Sequence, residues 1–84
     1  MMSNHLVIFV TAQDDEQARH IAKHLLGKKL IACANIAPVN SMFWWQGAVQ
    51  AESERLLILK ARADAFAAIE REIDADFKEV VTAD

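Results

Sequence analysis

The sequence predicts a single α+β domain with the ferredoxin-like order βαββαβ, in which one face of an antiparallel sheet carries both helices. Two amphipathic helical segments alternate with strand-like runs, and a turn at Gly47 joins the two longest runs into a ribbon. A chain of 84 residues holds one such domain and lies near the size at which a core is hard to bury alone. We expect this domain to span residues 1–84, with frayed ends at 1–4 and 83–84.

The N-terminal strand and helix have the clearest patterns. Residues His5–Ala12 (HLVIFVTA) are β-branched and aromatic without polar alternation, which predicts a central strand covered on both faces. Asp14 and Asp15 are typical of a helix start, and apolar residues then recur at helical spacing up to Gly27. We therefore expect an amphipathic helix of about three to four turns.

The middle of the chain is expected to form a long β-ribbon. A strand pattern covers residues 30–37, Pro38 is expected to interrupt its ladder at a bend or an edge position, and residues 39–45 continue in extended form. Gly47 tolerates a positive φ, so it completes a two-residue hairpin turn, after which residues 48–60 run back as the partner strand. The segment SMFWWQG therefore lies at the tip of the ribbon.

The C-terminal part supplies a second helix and a short strand. Phe66, Ile69 and Ile73 recur at spacings of three and four, which predicts an amphipathic helix over about residues 62–76. Residues 79–82 (EVVT) are expected to form the last, short strand. These two elements complete the βαββαβ order.

The apolar composition predicts a partner chain. Apolar residues make up 54% of the chain and charged residues 25%, and the apolar share exceeds the usual range for a soluble domain. Val7 and Phe9 lie on the sheet face opposite to Ile8, and Leu56 and Ile58 likewise lie opposite to their chain neighbours. Because the helices cover one face, we expect another subunit to cover the second.

The aromatic residues at the ribbon tip have two interpretations. Phe43, Trp44 and Trp45 stand together next to Gly47 in a chain with four Phe and two Trp in all. They are either interface anchors that fill pockets on a neighbouring subunit or, for Phe43 and Trp45 on one strand face, a cap on their own core. We favour the interface.

Charge and hydropathy argue against several classes of partner. The net charge is −3 without a basic cluster, so we expect no binding of nucleic acid. Apolar runs such as LVIFV are far shorter than the roughly 20 residues of a membrane span, and no signal-peptide pattern is present, so we expect no membrane contact. The single cysteine, Cys33, fits a reducing compartment, and we expect a cytoplasmic protein.

The segment from Leu6 to Lys60 resembles the CutA family of divalent-cation tolerance proteins. The shared pattern is a strand, a helix, the ACxNI segment, an aromatic ribbon with WxG, an acidic turn and LLILK. The resemblance implies a homotrimer of ferredoxin-like subunits with paired ribbons, together with a role in tolerance of copper and other divalent metals. It places Cys33, Trp45 and Gly47 at positions of the family pattern.

After the second helix the sequence departs from that pattern. The family has an HPYExPE-type segment followed by a strand and a helix, whereas this chain reads DADFKEVVTAD. We therefore expect a shortened or diverged C-terminal end.

Three side chains are candidate metal ligands, namely Cys33, His20 and His24. A thiolate suits Cu(I) and Zn(II), and imidazole suits Cu(II), Zn(II) and Ni(II). His20 and His24 are spaced i, i+4, so they share a helix face with Glu16, and we expect that face to point into solvent. A weakly bound copper or other divalent ion and an ordinary solvated face are both open interpretations, as are a metal-binding Cys33 and a small buried Cys33.

No catalytic constellation is visible in the sequence. Glu52 and Glu54 share a strand face, but no nucleophile with an orienting base accompanies them, and a solvated charge run is the favoured interpretation. The chain has two glycines, which are too few for a phosphate-binding loop. We expect no enzyme activity and no organic cofactor.

An alternative to metal tolerance is a PII-like signalling or interaction scaffold that holds a small molecule or a partner protein in intersubunit clefts.

Overall fold

The computed structural model describes residues 4–76 and 82–83, with side chains from residue 4 to residue 74. The sheet order is β2-β3-β1-β4 with antiparallel pairing throughout the described strands. The elements are β1 (His5–Ala12), α1 (Asp15–Gly27), β2 (Cys33–Trp45), β3 (Ala48–Arg62), a 3-10 helix (Ala63–Ala65), α2 (Phe66–Asp76) and β4 (Thr82–Ala83). This order confirms the predicted ferredoxin-like α+β fold. Residues 79–81 of the expected last strand lie outside the described residues.

The core lies between the sheet and the two helices. Ile8 and Val10 of β1 pair with Leu59 and Leu57 of β3, and all four side chains are fully buried. The helices close this layer with four further side chains of 0–1% exposure, namely Ile21 and Leu25 of α1 and Ile69 and Ile73 of α2. These apolar residues recur at helical spacing because they form the buried stripe of each helix.

Helix α1 has a defined start and end. The Asp14 carboxylate accepts a hydrogen bond of 2.8 Å from the backbone N–H of Gln17, as an N-cap residue does. At the other end Lys29 takes a positive φ of 60°, and the chain turns back so that Ile31 joins the core. These local features fix the helix at the bounds that the sequence predicts.

The second sheet face is apolar, and neither helix covers it. Val7 is 43% exposed and Phe9 is 40% exposed, while Leu56 and Ile58 are half-buried. We call this surface, defined by Val7, Phe9, Leu56 and Ile58, the open face. The structure thus confirms that apolar side chains point to both sides of the sheet, and among the described residues the fully buried ones lie on the helix side.

The ribbon formed by β2 and β3 differs from the prediction at two points. Pro38 does not interrupt the ladder, because the pairing runs without a break from Cys33↔Lys60 through Pro38↔Arg55 to Trp45↔Ala48. Strand β2 lies at the edge of the sheet, where a residue without an N–H is tolerated. The strand also begins at Cys33 rather than at residue 30.

The turn at the ribbon tip has the predicted length of two residues. Gln46 has a φ of 53° and Gly47 a φ of 80°. Two successive positive φ angles are the signature of a type I′ turn, whose twist matches that of the flanking strands. No helix in the described part of the chain is long and apolar enough to cross a membrane.

Candidate functional site

A polar cluster links the two helices on their outer side. The Nε2 atom of His24 in α1 lies 2.7 Å from Oε1 of Glu72 in α2. The Nζ atom of Lys28 lies 3.3 Å from Oε2 of the same carboxylate. The Glu72 carboxylate of α2 therefore contacts two side chains that are four residues apart in the sequence. We call His24, Lys28 and Glu72 the helix-linking cluster.

The two candidate histidines lie in different surroundings. His20 and Glu16 are exposed, as expected of a solvated helix face. His24 instead has a side chain that is 27% exposed, and its ring nitrogen is directed to Glu72. The expectation that the whole stripe points into solvent is thus wrong for His24, because helix α2 packs beside that turn of α1.

The cluster has a defined electrostatic state. Hydrogen bonds from His24 and from Lys28 hold the pKa of the Glu72 carboxyl below its usual value. The carboxylate is therefore ionised at neutral pH and available as an oxygen donor. Glu72 was not among the predicted site residues, because nothing in the local sequence marks it. Only the packing of α2 against α1 brings it to His24.

Cys33 lies on the other side of the sheet. It is the first residue of β2, its cross-strand partner is Lys60, and that pair belongs to the register of the open face. The thiol is half-buried and lies 3.7 Å from Oδ1 of Asn35. The structure therefore does not bring Cys33 together with His20 and His24. Among the described residues no group of three or more His, Cys, Asp or Glu side chains could hold a metal ion.

The aromatic residues of the ribbon tip divide between the two faces. The strand register places Phe43 and Trp45 on the side of the open face, and Trp44 with Met42 and Val49 on the helix side. Trp44 is 73% exposed and Trp45 is 59% exposed. Both indole rings thus project from the ribbon beyond the core of their own chain.

A polar cavity occupies the corner where β1 ends and β3 continues alone. Its volume is about 480 Å³, and its lining residues are Thr11, Gln13, Gln17, Glu52, Ser53 and Glu54. Strand β1 stops at Ala12, opposite Arg55, so the edge of β3 beyond this point has no partner strand within the described residues. Ser41 donates a hydrogen bond to Glu54 across the ribbon. We call this space the corner cavity.

Comparison with known proteins gives the family. The model of the family described as "CutA1 divalent ion tolerance protein" matches residues 6–82. The chain belongs to the CutA family. The match confirms the resemblance and extends it beyond Lys60 through helix α2.

Individual CutA proteins show the same relationship. The chain is 46% identical over 71 residues to the divalent-cation tolerance protein CutA of Archaeoglobus fulgidus. The aligned region covers 84% of this chain and 70% of that protein. It is 36% identical over 72 residues to the chloroplastic protein CutA 1 of Oryza sativa, covering 84% of this chain and 41% of the rice protein. The chain thus spans less than half the length of this plant relative.

Solved structures of CutA proteins superpose closely on the chain. The structure of the periplasmic divalent cation tolerance protein CutA from Archaeoglobus fulgidus matches with a TM-score of 0.87 and 41% identity over 94% of this chain and 79% of that one. The crystal structure of CutA1 from Oryza sativa matches with a TM-score of 0.89 and 31% identity over 96% of this chain and 77% of that one. These neighbours support the ferredoxin-like fold.

Proposed function

We propose that this CutA protein takes part in the response to metal ions as a homotrimer that binds copper or another divalent cation weakly. The observation that carries the proposal is the family match over residues 6–82, because its members are described as divalent ion tolerance proteins. The relatives from Archaeoglobus fulgidus and Thermus thermophilus are named for tolerance and not for a reaction, and we propose that this chain likewise acts without catalysis.

The apolar open face supports the trimer. Phe9 and Val7 are about two-fifths exposed in the single chain, and a buried side chain of this kind contributes roughly 1.5–3 kcal/mol relative to exposure. Trp45 and Phe43 extend the same side of the sheet along the ribbon. A neighbouring subunit that covers this continuous surface would stabilise a small domain considerably, with Phe43, Trp44 and Trp45 as anchors around the turn at Gly47.

Donor chemistry supports weak metal binding. Cys33 offers a soft thiolate for Cu(I) or Zn(II), and His20 and His24 offer imidazole nitrogens for Cu(II), Zn(II) or Ni(II). Because the described part of one subunit gathers no set of three such donors, a single subunit provides an incomplete ligand set compared with the three or four protein ligands of tight zinc sites. Weak and exchangeable binding follows.

Two measurements test this proposal. Light scattering on the untagged chain, with and without Cu or Zn, gives the solution mass, and we expect a trimer in both cases. Calorimetric titration with each metal gives the affinity. A monomer at all concentrations would reject the trimer, and an absence of binding at millimolar metal would reject metal binding.

We propose the cytoplasm as the compartment. The support is the single thiol, Cys33, which suits a reducing environment. The Archaeoglobus fulgidus structure is described as periplasmic and the rice relative as chloroplastic, so the compartment differs among relatives. Fractionation of cells that express the full-length protein tests this assignment.

The corner cavity favours a second candidate function, that of a PII-like scaffold binding a small molecule. Its volume of about 480 Å³ lies in the range of ligand pockets, and the lining amides, hydroxyls and carboxylates suit a small polar compound. Saturable binding of a metabolite by metal-free protein, lost on substitution of the lining residues Gln17 or Ser53, would favour this function. Binding of metal alone would favour the first.

A further inference from the structure

The helix-linking cluster contains a pair of donors placed for one metal ion. His24 Nε2 and Glu72 Oε1 lie 2.7 Å apart, and they come from two different helices. An imidazole nitrogen and a carboxylate oxygen form a donor set that suits borderline divalent cations such as Cu(II), Ni(II) and Zn(II), whereas Ca²⁺ and Mg²⁺ take oxygen ligands. We propose that His24 and Glu72 bind one such cation between α1 and α2.

The separation of the donors is close to the spacing that a single metal ion requires. At metal–ligand distances of about 2.0–2.2 Å, two donors at a right angle lie roughly 2.9 Å apart, and two tetrahedral donors lie roughly 3.4 Å apart. The observed 2.7 Å needs a widening of about 0.2 Å for the right angle of a square-planar site. The separation must widen by about 0.7 Å for the tetrahedral angle. Small rotations of the two partly exposed side chains reach either spacing, so the cluster suits Cu(II), Ni(II) and Zn(II) alike.

The accessibility of the cluster allows an ion to enter. The side chains of His24 and Glu72 are 27% and 26% exposed, so water can complete the coordination sphere. Lys28 holds the second oxygen of Glu72 at 3.3 Å, and its side chain is 52% exposed. A surface ion pair of this kind is weak, so an arriving divalent cation displaces the ammonium group into solvent.

This site differs from the pair that helix spacing alone indicates. His20 and His24 share a face of α1, but the ring of His24 is directed across to α2, where it contacts Glu72. The second ligand is thus the carboxylate, and His20 is not required. An ion held by one ligand from each helix also joins α1 to α2, so metal binding is expected to raise the melting temperature.

Three variants test the site by titration of CuCl₂ or NiCl₂ into the full chain. Glu72→Gln keeps the shape of the side chain but removes its negative charge, and we expect a loss of affinity of at least about tenfold, since even outer-shell changes cost that much. Lys28→Gln removes the competing cation, and we expect affinity to rise about two- to fivefold, the range of a weak surface ion pair. The matched control, Glu70→Gln, removes the same charge at an exposed position of the same helix and should stay within about twofold of the parent chain.

Nuclear magnetic resonance locates the ion without substitution of a ligand. Substoichiometric Cu(II) broadens the signals of the imidazole nearest to it, so we expect the ring signals of His24 to broaden before those of His5 and His20. Equal affinity of the Glu72→Gln variant and the parent chain, or a loss in Glu70→Gln as large as in Glu72→Gln, would overturn the site. Earlier broadening of His20 or His5 would overturn it as well.

This inference rests on the proposed binding of metal, and the outcomes separate the two. If the parent chain binds no metal at millimolar concentration, both fail. If the parent chain binds metal and the Glu72→Gln variant binds it equally well, only the site fails, and a Cys33→Ala variant then shows whether the thiol holds the ion.

Discussion

Phe9 of β1 and Ile58 of β3 are direct cross-strand partners on the sheet face that neither helix covers. Phe9 is 40% exposed and Ile58 is half-buried, so this pair forms the centre of an apolar surface on the single chain. Directly opposed aromatic and β-branched side chains stabilise antiparallel strands. Part of the surface of this pair remains exposed and is available for another subunit to cover.

The Phe9→Glu variant tests whether the open face is a subunit interface. A charge buried without a partner is costly, so we expect the solution mass to fall from trimer to monomer while the circular dichroism spectrum keeps its helix and strand signals. Ala67→Glu is the matched control, because Ala67 is an exposed residue of α2. An unchanged mass for Phe9→Glu would show that subunits meet elsewhere.

Leu56 and Leu57 are neighbours in β3 that point to opposite faces of the sheet. Leu57 has 0% exposure, and truncation of a fully buried leucine typically costs about 2–5 kcal/mol. Leu57→Ala should therefore lower the free energy of unfolding by that amount at every protein concentration. Leu56→Ala, on the open face, should act mainly by weakening assembly, so that its effect on the free energy of unfolding falls as the protein is diluted and the parent chain itself dissociates. Urea unfolding at two concentrations distinguishes them, and identical dilution behaviour of the two variants would contradict the assignment of faces.

The turn at the ribbon tip gives a test of backbone strain. Gly47 has a φ of 80° and no neighbouring atom within 4 Å of an added Cβ, so the cost of Gly47→Ala is conformational and should be about 1–2 kcal/mol. Gly27→Ala is the matched control. Gly27 closes α1 with equally open space, and alanine there should be neutral or stabilising by up to about 1 kcal/mol. Thermal unfolding measures both, and equal effects would argue against the type I′ turn.

Periodic burial explains why most of the fold was predictable. The run of β-branched residues in His5–Ala12 and the helical spacing that ends at Gly27 each reflect one local geometry with one buried face. A glycine between two extended runs likewise specifies a hairpin from local backbone preference. Such features need no knowledge of the rest of the molecule, and the structure places β1, α1 and the hairpin turn where they are expected.

Features that depend on neighbouring elements were not predictable in the same way. Pro38 was expected to interrupt the ladder at a bend or an edge position. The edge position is confirmed, since β2 is an edge strand, but the pairing with Arg55 continues without a break. Glu72 was missed because its partner, His24, lies 48 residues earlier in the sequence. Helical spacing alone suggests His20 as the partner of His24. Only the packing of α2 beside α1 brings His24 to Glu72.

The Glu72 interactions give the stability of the chain a specific dependence on pH. The pKa of the Glu72 carboxyl is lowered from its ordinary value of 4.5, first by the hydrogen bond from His24 and then by that from Lys28. A carboxyl whose pKa is depressed on folding contributes stability that is present above its unfolded pKa and is lost as the pH falls through the folded pKa. The contribution should therefore be complete at pH 7 and should disappear below about pH 4.5.

The Glu72→Gln variant measures this contribution directly. In the presence of a chelator, we expect the parent chain to melt at a higher temperature than the variant at pH 7, and the difference should shrink as the pH falls from 4.5 toward 3. Glu70→Gln, at an exposed position of the same helix, is the control and should change the melting temperature less at pH 7. A difference between the parent chain and Glu72→Gln that stays constant from pH 7 to pH 3 would mean that the carboxylate charge adds nothing to the link between α1 and α2.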